Sequence, residues 1–77
     1  MSPRKIKARF AICMNNEDFP ASLELRKIYR VVADESAAKN QLVRIVDESG
    51  EDYLYPEAYF IPIKLPATAE KALLKAS

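Results

Sequence analysis

The chain has 77 residues, with no histidine and only one cysteine and one glycine. Without histidine, Ser-His and Cys-His catalysis and histidine-ligated metal sites are excluded. A single glycine cannot build a loop that cradles phosphate. Cys13 has no second cysteine for an internal disulfide, which suits a reducing cytoplasm. It also has no base to activate it, so a structural thiol is expected. A large excess of either charge is missing as well. Twelve Lys and Arg against 11 Asp and Glu leave a net charge of +1, so no global field favours nucleic acid or membrane. No apolar run approaches the roughly 20 residues of a membrane span, and no apolar segment follows the basic N-terminus as in a signal peptide. There are no repeats and no low-complexity segment.

What is present is the composition of one small globular domain. Hydrophobic residues make up 49% and charged residues 30%, too apolar for disorder. A domain of this size buries only about 60% of the surface of its unfolded chain, so its core is small. The pattern divides into a basic arm over 1–7, a β-rich body over 8–65 and a helical tail over 66–77. In the arm, Arg4, Lys5 and Lys7, with Arg9 just beyond, have no aromatic residues alternating among them. Single-strand binders usually need such stacking platforms, so a solubilising tail is the plainer expectation.

Ala8 to Met14 reads as the first strand, with Phe10, Ile12 and Met14 on an apolar face and Arg9, Ala11 and Cys13 on the other. Asn15 to Pro20 is loop by its turn residues, and its carboxylate spacing matches no calcium loop. Leu23-Glu24-Leu25 alternates briefly. Lys27 to Val32 is a second strand, with Tyr29 and Val31 sharing a face. Asp34 is placed to cap a single helical turn that Asn40 closes in a left-handed conformation. At the other end, Thr68 caps a short helix whose Ala69, Leu73 and Ala76 form a narrow apolar stripe.

The stretch Gln41 to Ile63 organises the rest. Leu42 to Val46 and Tyr53 to Tyr55 have strand composition, and Asp47 to Asp52 separates them with a polar turn. Two registers are open. A two-residue Ser49-Gly50 turn sets Glu48 opposite Glu51 and Asp47 opposite Asp52. A three-residue loop with Gly50 left-handed leaves only Asp47 facing Glu51. That loop brings Arg44 diagonal to Asp52 and sets Val43, Ile45, Tyr53 and Tyr55 on one face. Like charges directly opposite destabilise a ladder, so the second register is preferred. The expected core is Phe10, Ile12, Val31, Val43, Ile45 and Tyr55.

After the hairpin, Tyr55-Pro56-Glu57-Ala58-Tyr59-Phe60 interrupts a strand with proline and resumes three residues later. That spacing suits one 3₁₀ turn, with Pro56 and Tyr59 on the same side. Phe60 to Ile63 then closes the sheet, and Pro62 marks it as an edge or a bulge. Five short strands with this strand-Pro-x-x-Tyr-apolar corner resemble the Src-homology-3-like small barrel. In that family such a segment forms the 3₁₀ turn between the last two strands. The chain is also similar to short bacterial proteins, without an assigned function, that carry a GEDYLYP-type segment, here Gly50 to Pro56. The resemblance implies a mainly β fold, a five-stranded antiparallel barrel with a short C-terminal helix. It also implies a groove at Pro56 and Tyr59. The groove tryptophan of the peptide-binding members has no counterpart, and no Ala-Leu-Tyr-like strand precedes it.

These features lead to a non-catalytic protein-interaction module, with Tyr29, Pro56 and Tyr59 lining a shallow groove for a protein or peptide. The plainer alternative is that the rings only fill the core. A single-stranded nucleic-acid binder is the second reading, on a basic face of Lys27, Arg30 and Arg44 with Arg4, Lys5, Lys7 and Arg9. The acids Asp47, Glu48, Glu51 and Asp52 oppose it. An enzyme is not expected, because carboxylates on an exposed turn lack the burial that would separate their pKa values. No cofactor or metal is expected.

Overall fold

The computed structural model describes residues 8–76. Five strands form one antiparallel sheet: β1 Phe10–Cys13, β2 Ile28–Val32, β3 Leu42–Val46, β4 Asp52–Pro56 and β5 Phe60–Ile63. Two helices accompany them, α1 Glu35–Lys39 and α2 Ala67–Ala76, and a 3₁₀ turn, Glu57–Tyr59, joins β4 to β5. The strand order is β4-β3-β2-β1-β5. The sheet is open, with β4 and β5 as its two edges. No helix among the described residues is long and apolar enough to cross a membrane.

The central hairpin takes the three-residue loop. Val43 faces Tyr55 and Ile45 faces Tyr53. Asp47 N–H donates to the Glu51 carbonyl at 3.1 Å, and Gly50 sits at φ +85°. Asp47 also organises the turn, its carboxylate accepting from Ser49 N–H at 2.9 Å and from Ser49 Oγ at 2.5 Å. Arg44 donates to Asp52 at 2.9 Å, as the diagonal register requires, and its Nε donates to Asp34 at the same distance. Asp34 caps α1, accepting from Ala37 N–H at 3.0 Å. One residue therefore ties helix cap, strand and hairpin together. The left-handed closure after α1 falls on Gln41 at φ 56°, one residue beyond the expected Asn40, whose φ is −105°. Helix α2 starts at Ala67, so Thr68 lies inside its first turn, where Glu70 N–H donates to the Pro66 carbonyl.

The core is Ala11, Cys13, Leu23, Tyr29, Val43, Ile45, Tyr55 and Phe60. This corrects the expected face of β1. Ala11 and Cys13 point inward at no exposure, Ile12 is half-buried and Met14 is exposed. Small residues are needed there because Tyr29 lies opposite Ala11 and Phe60 opposite Cys13, and those rings take the available volume. Phe10 is buried as expected, but on the other side of the sheet. Val31 is only partly buried against the core. Tyr53 shares the Ile45 face yet is exposed, because it lies at the outer edge near the turn.

Both edges are blunted by proline. Tyr59 accepts from Met14 N–H and Gln41 accepts from Glu57 N–H, which fixes the hydrogen-bonded pairs on each ladder. By alternation, Pro56 and Pro62 stand where a backbone N–H would point outward to a new strand, and neither has one.

Candidate functional site

Residues Asn15 to Lys27 link β1 to β2 and fold back on themselves. Phe19 N–H donates to the Asn16 carbonyl, Leu23 N–H to the Phe19 carbonyl, and Asn16 Nδ2 to the Leu23 carbonyl at 2.9 Å. This wrapping carries Phe19 onto the core. Its ring meets Tyr55 edge-on with centroids 4.9 Å apart and lies 6.2 Å from the Tyr59 ring. Tyr53 lies 5.5 Å from Tyr55 on the other side. The result is a continuous line of rings, Tyr53-Tyr55-Phe19-Tyr59, in contacts of the edge-to-face kind that aromatic quadrupoles favour. Tyr55 is its buried floor, Phe19 and Tyr59 are half-buried, and Tyr53 is 59% exposed.

Two carboxylates fix the phenols. Tyr59 O–H donates to Asp18 Oδ2 at 2.6 Å, and that bond is the first cause of its raised pKa. Tyr55 O–H donates to Asp47 Oδ2 at 2.6 Å. Burial first, and then that carboxylate, pushes the Tyr55 phenol up to about 12. Burial works to raise Asp47 as well, but the bonds from Ser49 and Tyr55 outweigh it and hold its carboxyl below the usual range. The 3₁₀ turn falls on Glu57–Tyr59, as the corner predicts, with Pro56 half-buried beside it.

Tyr29 is not part of this line. Its ring is buried, 6.4 Å from Phe60, and its hydroxyl accepts from Glu24 N–H at 2.7 Å while donating to Glu48 at 2.5 Å. Its phenol is raised, first by burial and then by the Glu48 carboxylate. Lys27 donates to the same Glu48 oxygen at 2.6 Å, and this bond leads in holding the Glu48 carboxyl down. The groove expected from Tyr29, Pro56 and Tyr59 is thus divided. Tyr59 and Pro56 flank the corner, while Tyr29 pins the hairpin turn to the β1–β2 connection.

Comparison with known protein families, curated proteins and solved structures finds no match in any of the three. The residues of this chain therefore carry the functional argument alone.

The basic face dissolves on inspection of its partners. Lys27 is paired with Glu48 and lies 3.8 Å from Glu24, Arg44 is held between Asp34 and Asp52, and Arg9 lies 3.8 Å from Glu70. Arg30 is exposed on the sheet face opposite the core. Arg4, Lys5 and Lys7 lie outside the described residues. The acidic turn is equally committed, since Asp47, Glu48 and Asp52 each have a structural partner. Burial pushes the Cys13 thiol up, and its Sγ donates to the Asn15 carbonyl at 3.3 Å, the behaviour of a structural cysteine.

Phe19 and Tyr53 are the site residues that sequence reasoning missed. Phe19 is a lone ring among turn residues, and its polar context disguised it. Tyr53 shares the face expected of it with Val43, Ile45 and Tyr55, but the pattern gave it no part in a site.

Proposed function

We propose that this protein is a non-catalytic interaction module, a small SH3-like β-domain that presents an aromatic surface to a protein or peptide. The observation that carries this reading is the ring line ending in exposed Tyr53 and half-buried Tyr59. Tyrosine with an apolar body and a wet hydroxyl is enriched where proteins meet. The floor is rigid, because Tyr55 and Phe19 are locked into the core and Tyr59 is tethered to Asp18. Preorganised rings lose little entropy on binding. The 3₁₀ turn between the last two strands supports the SH3-like plan, in which β4 and β5 are the adjoining edges of an incompletely closed barrel. The nucleic-acid reading loses support from the pairing of its cations, because phosphate contacts would have to compete with Glu48, Asp34 and Asp52.

The test is affinity capture from the source cell with wild type, Tyr53→Ala and Tyr59→Ala in parallel, with thermal melts of each. Tyr53→Ala is expected to keep the melting temperature and lose the captured protein. Identical capture by all three would refute the surface.

A further inference from the structure

The side of the sheet away from the core carries a groove. Alternation sets Phe10 of β1, Ile28 and Arg30 of β2 and Val46 of β3 on that side, and the register places Arg30 abreast of both Phe10 and Val46. Leu73 and Leu74 of α2 line the same groove, whose volume is about 770 Å³. Small-molecule sites commonly measure about 300–1,000 Å³. Phe10 is only 3% exposed, whereas Ile28 and Leu73 keep 37% and 39% of their surface open to solvent. Four charged side chains also line the groove, and three of them are committed within the chain. Lys27 donates to Glu48, which also accepts from the Tyr29 hydroxyl, and Asp47 accepts from Ser49 and Tyr55. Arg30 is exposed, and it is the one that has neither an ion pair nor a side-chain hydrogen bond among the described residues. It also lines a smaller hollow of about 240 Å³ beside Arg9 and Val32, so it stands between the two, at one end of the groove.

We infer that this groove binds a single-chain alkyl carboxylate, its head on Arg30 and its chain along Ile28, Val46 and Leu73. Charge selects the head. One uncommitted cation calls for one negative charge, and the two oxygens of a carboxylate match the guanidinium fork. An alkyl phosphate, with a charge nearer −2, would leave part of it unmatched in a groove that Glu48 also lines. The walls select the body. Ile28, Val46, Leu73 and Leu74 are aliphatic, and the other polar side chains of the groove have their partners already. A ligand with polar atoms along its length would have to leave them unpaired there, and a plain hydrocarbon chain has none to lose. The concavity favours a small molecule over a folded partner, whose interface is broad and buries about 800 Å² on each side. The groove lies on the other side of the sheet from the Tyr53 line, so it is independent of the aromatic surface.

The experiment is a titration of the full chain with octanoate, decanoate and dodecanoate at pH 7, below their micelle concentrations, followed by backbone amide NMR shifts. Decanol, decyltrimethylammonium and decyl phosphate provide the same chain with other heads. Decanoate should bind saturably, one per chain, with shifts gathered at Phe10, Ile28, Arg30, Val46 and Leu73. Each added pair of methylenes should tighten binding about tenfold while the groove still covers them. Arg30→Gln, its fold checked by circular dichroism, should weaken decanoate at least about tenfold and leave decanol unchanged, since only the charged hydrogen bonds are lost. Tyr53→Ala should bind decanoate as wild type does, so failure here leaves the aromatic surface standing. The proposal is overturned if decanoate gives no saturable shifts, or shifts gathered at Tyr53 and Tyr59. It is equally overturned if the ammonium or the phosphate binds wild type as tightly as decanoate, or if Arg30→Gln binds decanoate normally.

Discussion

Ile45 offers the most direct test of where the core lies. It is fully buried in the middle of β3, opposite Val31 on one side and Tyr53 on the other. Removing one methylene, Ile45→Val, keeps a β-branched residue and is expected to cost about 1 kcal/mol. Ile45→Ala removes three carbons in a site whose neighbours are pinned. Tyr55 is held by Asp47 and Tyr29 by Glu48, so neither ring is free to collapse into the space. A cost toward the upper part of the usual range of about 2–5 kcal/mol is therefore expected. A chain of 77 residues has about 4–12 kcal/mol of stability in total at typical values per residue. The substitution would thus remove a large share of it. In a domain this small each kcal/mol shifts Tm by about 4–8 °C, so Ile45→Ala should melt at least about 10 °C lower. The assay is urea unfolding of wild type and both variants followed by far-UV circular dichroism. A loss below about 1 kcal/mol for Ile45→Ala, outside the range for a buried site, would refute the packing argument.

Other expectations follow from the polar contacts. Glu48 and Asp47 have folded pKa values below their ordinary 4.5 and 3.8, so their stabilisation is present above about pH 4.5 and lost as pH falls through the depressed values. Urea midpoints measured across that range should drop on acidification, and Glu48→Gln should flatten the drop. Tyr55 is raised from 10.0 to about 12, so its contribution is full below pH 10 and fades as pH rises toward 12. In an ultraviolet phenolate titration, Tyr29 and Tyr55 should ionise only as the fold is lost. Gly50→Ala meets no neighbour within 4 Å but keeps φ at +85°, so a cost of about 1–2 kcal/mol from backbone strain alone is expected in the same urea assay.

The hairpin, the corner and the helix cap were legible in the sequence because their causes are local. Gly50 is the only residue that enters the left-handed region freely, and one register avoids the second pair of facing acids. That was enough to fix Val43 against Tyr55 and Arg44 beside Asp52. Pro56 and Tyr59 likewise set the 3₁₀ turn, and Asp34 its own helix.

The face of β1 could not be read in this way. Both of its faces are apolar, and Phe10, Ile12 and Met14 outweigh Ala11 and Cys13 in hydrophobicity. The core nonetheless took the small pair, because close packing is a constraint on volume shared among distant segments. Tyr29 and Phe60 had already filled the space opposite. The same non-local rule brought Phe19 out of a polar loop onto Tyr55 and turned Tyr29 from a surface candidate into an interior strut. Sequence determined where the chain turns and which strands it makes. Only the tertiary structure decided which rings fill the interior and which remain exposed, because that choice depends on the volumes left by residues far away in the chain.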